Sequence, residues 1–170
     1  FFSIKFQEDI GFGEGPTTEF FDIMSEEFCK KRHRLWRRDN SFTSDDPRDK
    51  LFSHHKQGLF PYPTANSRYM RALGLFVGKA IQMGQIVNIP FNPAFFDMAA
   101  GRPIQMKDVD EELAQGLSYG LDGLEGQIFA VNIEDEKHIF DIVKGGREIE
   151  VNAENVEIYK KAYYDFICGR

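Results

Sequence analysis

Cysteine is scarce in this sequence: Cys29 and Cys168 are the only two in 170 residues. A pair so far apart does not suggest a disulfide framework, and reduced thiols in cytoplasm or nucleus are expected. Histidine is nearly as rare, and His33, His54, His55 and His138 fall into no metal-ligand spacing with the cysteines, so no metal and no cofactor is expected. No apolar run approaches the roughly 20 residues of a membrane span, and no signal-peptide pattern is visible. Positive charge is in deficit, with 21 Lys and Arg against 27 Asp and Glu, a net charge of −6 and a pI near 5.3. General nucleic-acid binding needs a basic footprint, so neither nucleic acid nor membrane is an expected partner. There is no Gly-x-Ser-x-Gly nucleophile elbow. The acidic clusters Glu26-Glu27 and Asp110-Glu111-Glu112 suit helix surfaces better than a catalytic carboxylate pair. No catalytic residue is expected in the chain.

Apolar material, by contrast, is plentiful. Hydrophobic residues make up 42% of the chain, and 17 are Phe. That supports one domain of ordinary size with a small appended subdomain, and points to a Phe-rich core or an apolar docking surface. The basic stretch Lys30, Lys31, Arg32, Arg34, Arg37, Arg38 reads as a solvated helix end, where cations complement the helix dipole. The abrupt start at Phe1-Phe2 and the end at Cys168-Gly169-Arg170 look cut.

Residues 1–7 alternate apolar and polar and predict a half-buried strand. Gly11, Gly13 and Gly15 break the chain before Pro16, and Phe20, Ile23, Met24 and Phe28 mark an amphipathic helix over about 16–31. Residues 37–57 read as a surface loop, and Gly58 to Pro63 as an extended apolar piece. Tyr69, Leu73, Phe76, Val77, Ala80 and Ile81 mark one face of a helix over 65–83 with Gly84 as its C-cap. Gly74 and Gly78, one turn apart on it, suggest close approach of a neighbouring backbone. Asn92 or Pro93 opens a short helix that stops at Gly101. A helix weakened by glycine starts at Asp108, with Leu113, Leu117 and Leu121 at four-residue steps. Strand-like alternations follow over 128–133, 139–143 and 149–151, the last two joined by Lys144-Gly145-Gly146-Arg147 as a hairpin. Asn152 caps a final helix bearing Val156, Tyr159, Tyr163, Phe166 and Ile167. The class is α+β, mostly helical, with a small antiparallel element late in the chain.

Two features suggest binding. The Gly11–Gly15 turn between strand and helix faintly resembles a phosphate loop. It lacks the Gly-x-Gly-x-x-Gly spacing, and no Lys precedes Thr17-Thr18, so a structural Gly-rich turn is the preferred reading and a nucleotide-binding domain the alternative. Leu113, Leu117 and Leu121, with Tyr159 and Tyr163 one turn apart, sit in an element with little core to hide them. They form either a core, as in a non-catalytic scaffold domain, or a protein-binding groove.

The motifs also resemble a known family. Ile10-Gly11-Phe12-Gly13-Glu14-Gly15-Pro16-Thr17-Thr18-Glu19-Phe20-Phe21 is similar to the opening of a HECT-type ubiquitin ligase domain, in the form found in its ubiquitin-fusion-degradation branch. Trp36 stands in that branch's Leu-Trp-Arg position, and Gly58-Leu59-Phe60 resembles the family's Gly-Leu-Phe. Leu73-Gly74 through Gly78-Lys79-Ala80-Ile81 is similar to a Leu-Gly-Lys…Ala-Ile helix, with Leu75 where Lys is usual. Pro90-Phe91 with Phe95-Phe96, and Lys144-Gly145-Gly146-Arg147 through Val151-Asn152 with the helix after it, follow in family order. The resemblance implies a HECT N-lobe. Residues 1–106 would form part of its large subdomain, 107–151 a small subdomain docking a ubiquitin-conjugating enzyme, and 152–170 a helix bordering the groove. It maps partner binding onto Leu113, Leu117, Phe129, Tyr159 and Tyr163. The stretch from Leu117 to Phe129 is shorter here than in typical members, and Gly116 and Gly120 replace bulkier residues. The implied partners are a conjugating enzyme, ubiquitin as the transferred group, and a protein substrate held by regions outside this chain. The family's nucleophilic cysteine has a Thr-Cys-Phe-like setting, which neither Cys29 nor Cys168 matches.

Overall fold

The computed structural model describes residues 15–37, 44–120, 123–132 and 139–168. The expected strand at residues 1–7 and the turn glycines Gly11 and Gly13 lie outside them, as do Arg38, Leu121 and His138. The chain divides into two compact units, residues 1–95 and 96–170. Among the described residues, no helix is long and apolar enough to cross a membrane.

The first unit is organised by aromatic side chains on two helices, α1 (Gly15–Cys29) and α2 (Ser67–Met83). Phe21 and Phe28, seven residues apart on α1, both pack on Phe76 of α2, with ring centroids 5.2 and 5.4 Å away. Trp36 is 1% exposed, and its indole N–H donates to the Phe28 carbonyl at 2.6 Å, which satisfies the polar tip of a buried ring. The Ser25 hydroxyl donates to the Phe21 carbonyl (2.7 Å) and accepts from the Asn88 amide (3.1 Å), tying the loop after α2 onto α1. Extended segments complete the unit through isolated bridges pairing Lys30 with Phe52, Trp36 with Pro61 and Leu59 with Phe91. The Gly58-Leu59-Phe60 motif has a steric reason here. Gly58 has φ +88°, and a Cβ on it would lie 2.7 Å from the Asn92 amide nitrogen. Only glycine accepts both constraints.

The caps of α2 follow the sequence. Asn66 accepts from the Arg68 amide, and Gly84 closes the helix at φ 65°. Its buried stripe is narrower than the periodicity suggests. Leu73, Phe76 and Ala80 are buried, whereas Tyr69 is 45% and Ile81 75% exposed. Among the described residues nothing lies within 4 Å of a Cβ built on Gly74 or Gly78, so the close backbone approach expected there is not found among them. The basic stretch after α1 is a 3-10 turn, Lys31–His33, and Lys30, Arg32 and His33 all close on the Glu27 carboxylate. Residues 44–57, expected as plain loop, contain a 3-10 turn at Asp49–Leu51 and the buried Ser53. α3 (Pro93–Ala99) opens as expected, with the buried Asn92 side chain accepting from the Ala94 amide at 2.8 Å, and Gly101 follows its end at φ 70°.

In the second unit, the single helix expected from Asp108 is two. α4 (Met106–Val109) carries a capping box between Gln105 and Asp108, and α5 (Glu111–Ser118) starts afresh from Asp110, whose carboxylate accepts from the Leu113 amide at 2.9 Å. The Asp110 backbone is extended, which breaks the helical path between them. Gly120 and Gly123 fall beyond α5. Strands β1 (Ala130–Asn132) and β2 (Ile139–Asp141) pair antiparallel, with Val131 opposite Phe140. The expected hairpin at Lys144–Arg147 does not form, because residues 149–151 pair with 127–129 instead: the Phe129 amide donates to Ile149 and the Val151 amide to Gln127. Gly146 serves a different end there, since any Cβ on it would overlap the Phe129 carbonyl. Asn152 accepts from the Glu154 and Asn155 amides and leads into α6 (Val156–Cys168).

Candidate functional site

The second unit closes a small core of Leu124, Phe129, Val151 and Tyr159. It cannot close a large one. α5 is eight residues long and each strand three, so the side chains around that core are only half covered. The result is an open groove of about 280 Å³. Leu113, Gly116 and Leu117 from α5 form one wall, and Tyr159 and Tyr163 from α6 another. Ala130, Val131 and Asn132 of β1 and Leu124 with Gln127 from the preceding turn complete it. The groove lies wholly within residues 96–170, and none of its described lining residues is charged.

Four of the five residues singled out in the sequence thus line one groove, in unequal ways. Leu113, Leu117 and Tyr163 are half-buried and present apolar surface to it. Tyr159 is 3% exposed and packs edge-on against Tyr163 with centroids 5.7 Å apart. Burial pushes its phenol up to about 12, with neighbouring Tyr163 adding to the shift, so the hydroxyl stays neutral at physiological pH. Phe129 does not line the groove. It is 3% exposed and stacks edge-on behind Tyr159 at 5.2 Å. Its backbone is held just before β1, where its amide donates to the Ile149 carbonyl and its own carbonyl lies against Gly146.

Periodicity did not point to Tyr119. It follows α5 with extended backbone (φ −61°, ψ 150°), is 54% exposed and lines the groove. A Cβ on Gly123 would come within 2.8 Å of the Tyr119 Cβ, so the glycine makes room for that side chain. The signal in the sequence was a lone Tyr between Gly116, Gly120 and Gly123, which reads as a weak helix until the turn is seen.

The groove's polar groups are neutral amides and phenols, and no group of three or more His, Cys, Asp or Glu able to hold a metal occurs among the described residues. Of the two thiols, Cys29 is buried in the first unit, and desolvation, followed by the nearby Glu26 carboxylate, raises it to about 11. A thiol that is almost wholly protonated at neutral pH is a poor nucleophile. Cys168 is 3% exposed. At about 280 Å³ the groove falls just below the usual range of small-molecule pockets, about 300–1,000 Å³.

Comparison with known proteins agrees with the motif reading. The HECT-domain (ubiquitin-transferase) family matches residues 22–170. A probable ubiquitin fusion degradation protein of Schizosaccharomyces pombe is 35% identical over 129 residues, covering 68% of this chain and 7% of that protein. An E3 ubiquitin-protein ligase of Arabidopsis thaliana is 30% identical over 125 residues, covering 67% of this chain and 8% of its own length. Ubiquitin fusion degradation protein 4 of Saccharomyces cerevisiae aligns with 98% of this chain at 26% identity, over 13% of its length. The chain therefore spans a small fraction of these relatives. With the family matched over most of its length, and with the Gly58 and Gly146 motifs each explained by a close backbone approach, the chain belongs to the HECT-domain family of ubiquitin transferases.

Proposed function

We propose that this chain is the docking part of a HECT-type ubiquitin-protein ligase, and that the groove of residues 96–170 receives a ubiquitin-conjugating enzyme. The observation that carries the proposal is the uncharged groove walled by Leu113, Leu117, Tyr119 and Tyr163 and backed by the buried Tyr159. Apolar surface left open within a charged unit is costly unless a partner covers it. Residues 107–151 then act as the docking subdomain, and 152–170 as the helix that borders it. In the parent protein, a cysteine outside these residues attacks the thioester carbonyl of the charged conjugating enzyme, and the enzyme's thiolate leaves. A substrate lysine then attacks the new thioester and releases the ligase cysteine. This chain supplies proximity and orientation to that exchange.

The purely packed alternative, a scaffold domain, accounts for the burial of Tyr159. It does not account for Leu113, Leu117 and Tyr163 standing half-covered around open volume. A calorimetric titration of the chain against a panel of ubiquitin-conjugating enzymes tests the proposal. Saturable binding to a subset, weakened at least about tenfold by Leu113→Ala, is the expected result, in line with truncation of an interface anchor. A folded chain that binds no member of the panel would count against docking.

A further inference from the structure

Helix α2 carries cations at the end where its own dipole opposes them. Its 17 residues include Arg68, Arg71 and Lys79 and no Asp or Glu. Arg68 stands in the first turn, where the dipole favours carboxylates, so its placement works against the stability of the helix. Local pairing does not offset this. Among the described residues neither the Arg68 nor the Arg71 guanidinium closes on a carboxylate. Spacings of three and four residues put Arg68, Arg71, Leu75, Lys79 and Gln82 on one face, turned away from the buried Leu73, Phe76 and Ala80. That face is open. Arg68, Arg71 and Gln82 are exposed, Lys79 is half-buried, and Leu75 is 67% exposed. The basic turn after α1 stands at the same end of α2, because the His33 ring lies against Tyr69 with centroids 5.2 Å apart. From Glu27 to Arg37 the sequence holds five Lys and Arg and a single carboxylate, on which Lys30, Arg32 and His33 already converge.

We infer that this face of α2 docks an acidic polypeptide segment that carries an apolar residue among its carboxylates. The carboxylates meet the forks of Arg68 and Arg71, which suit paired hydrogen bonds to such groups. The N-terminal end of the helix dipole favours the same negative charge. The apolar residue covers Leu75. From Arg68 to Lys79 the stripe is about 17 Å long at 1.5 Å per residue, the length of about three helical turns. Leu75 and the net charge together separate this partner from other polyanions. A nucleic-acid backbone offers Leu75 nothing apolar. A broad anionic surface, whether lipid or nucleic acid, also meets the net −6 of the whole chain. A short segment feels only the local cations, because screening at physiological salt limits the field to about 8 Å. The face lies wholly within residues 1–95, so the inference does not rest on the docking reading of the second unit.

The test is a fluorescence-anisotropy titration of the full chain with a labelled peptide of about 12 residues, the helical length of the stripe, built of Asp and Glu around a central Leu pair. The same peptide with Lys at every acidic position is the control. The expected result is saturable binding of the acidic peptide alone, weakened at least about tenfold as sodium chloride rises. Arg68→Glu with Arg71→Glu should weaken it at least about tenfold. Both side chains are exposed, and Glu suits the start of a helix, so far-UV circular dichroism should be unchanged. The same change in net charge on the other unit, Lys144→Glu with Lys161→Glu, should leave binding within about twofold. Leu75→Ser should weaken it about three- to tenfold, as loss of an apolar contact does. Equal losses for the two charge variants, or equal binding of the acidic and basic peptides, would overturn the inference. So would a folded chain that ignores the acidic peptide yet binds phosphatidylserine vesicles or duplex DNA through Arg68 and Arg71.

Discussion

Residues 1–95 close their aromatic side chains on one another, whereas residues 96–170 leave theirs around an open groove. In the first unit Phe21, Leu35, Trp36 and Leu73 are at most 1% exposed, and rings meet at 5.2–5.7 Å on several sides. In the second, three of the side chains expected to matter are half-covered and only Tyr159 and Phe129 are sealed. The cause is length. α1 and α2, of 15 and 17 residues, can bury a full stripe against each other, but an eight-residue helix over a pair of three-residue strands cannot. The same apolar residue types thus give a closed core in one unit and the walls of an open groove in the other.

Breaking the first unit should have the largest effect. Trp36→Ala removes a sealed ring and orphans its contact with the Phe28 carbonyl, and should cost about 3–5 kcal/mol of folding stability in denaturant titrations. A cost below about 1 kcal/mol would mean that the aromatic cluster is not the core it resembles. The second unit offers a sharper split between neighbours one turn apart. Tyr159→Ala empties the place between Phe129 and Tyr163 and should destabilise the chain by about 2–4 kcal/mol. Tyr163→Ala should cost about 1 kcal/mol or less in stability and at least about that much in conjugating-enzyme affinity. Equal stability losses for the two would erase the distinction between core and groove wall.

The smallest effect concerns pH. Hydrogen bonds from Lys30 and Arg32, then His33, hold the Glu27 carboxyl at about 2, against an ordinary 4.5. A carboxylate lowered in this way contributes stability above pH 4.5 that is lost as the pH falls through about 2. Glu27→Gln should therefore narrow the gap to wild type progressively between pH 4.5 and 2. The effect is modest, because the side chain is 27% exposed and solvent screens the pairs. Acid unfolding curves that stay parallel over that range would remove Glu27 from the account.

The long helices were legible in the sequence because three- and four-residue spacing, with Asn66 and Gly84 at the ends of α2, states both face and limits. Tyr69 and Ile81 were misassigned to the buried face because periodicity gives a direction without the width of the partner that covers it. In the second unit, Leu113, Leu117 and Leu121 suggested one helix from Asp108, and the spacing concealed the extended Asp110 that restarts it. Gly145-Gly146 looked like a hairpin turn, but Gly146 is needed because the Phe129 carbonyl presses against it, a long-range contact that no local pattern reveals. Of the candidate groove, Leu113, Leu117, Tyr159 and Tyr163 were readable from helical spacing together with the family motifs. Tyr119 was not, since its place depends on the turn that Gly123 permits.

The central claim is that the groove between α5 and α6 is the face that meets a ubiquitin-conjugating enzyme. Amide and methyl chemical-shift mapping of the labelled chain during addition of a binding conjugating enzyme tests it most directly. The account predicts the largest changes at Leu113, Leu117, Tyr119 and Tyr163, smaller ones at the sealed Phe129, and none across the aromatic cluster around Trp36. Saturable binding with the changes centred on residues 1–95 and the groove resonances unmoved would contradict it.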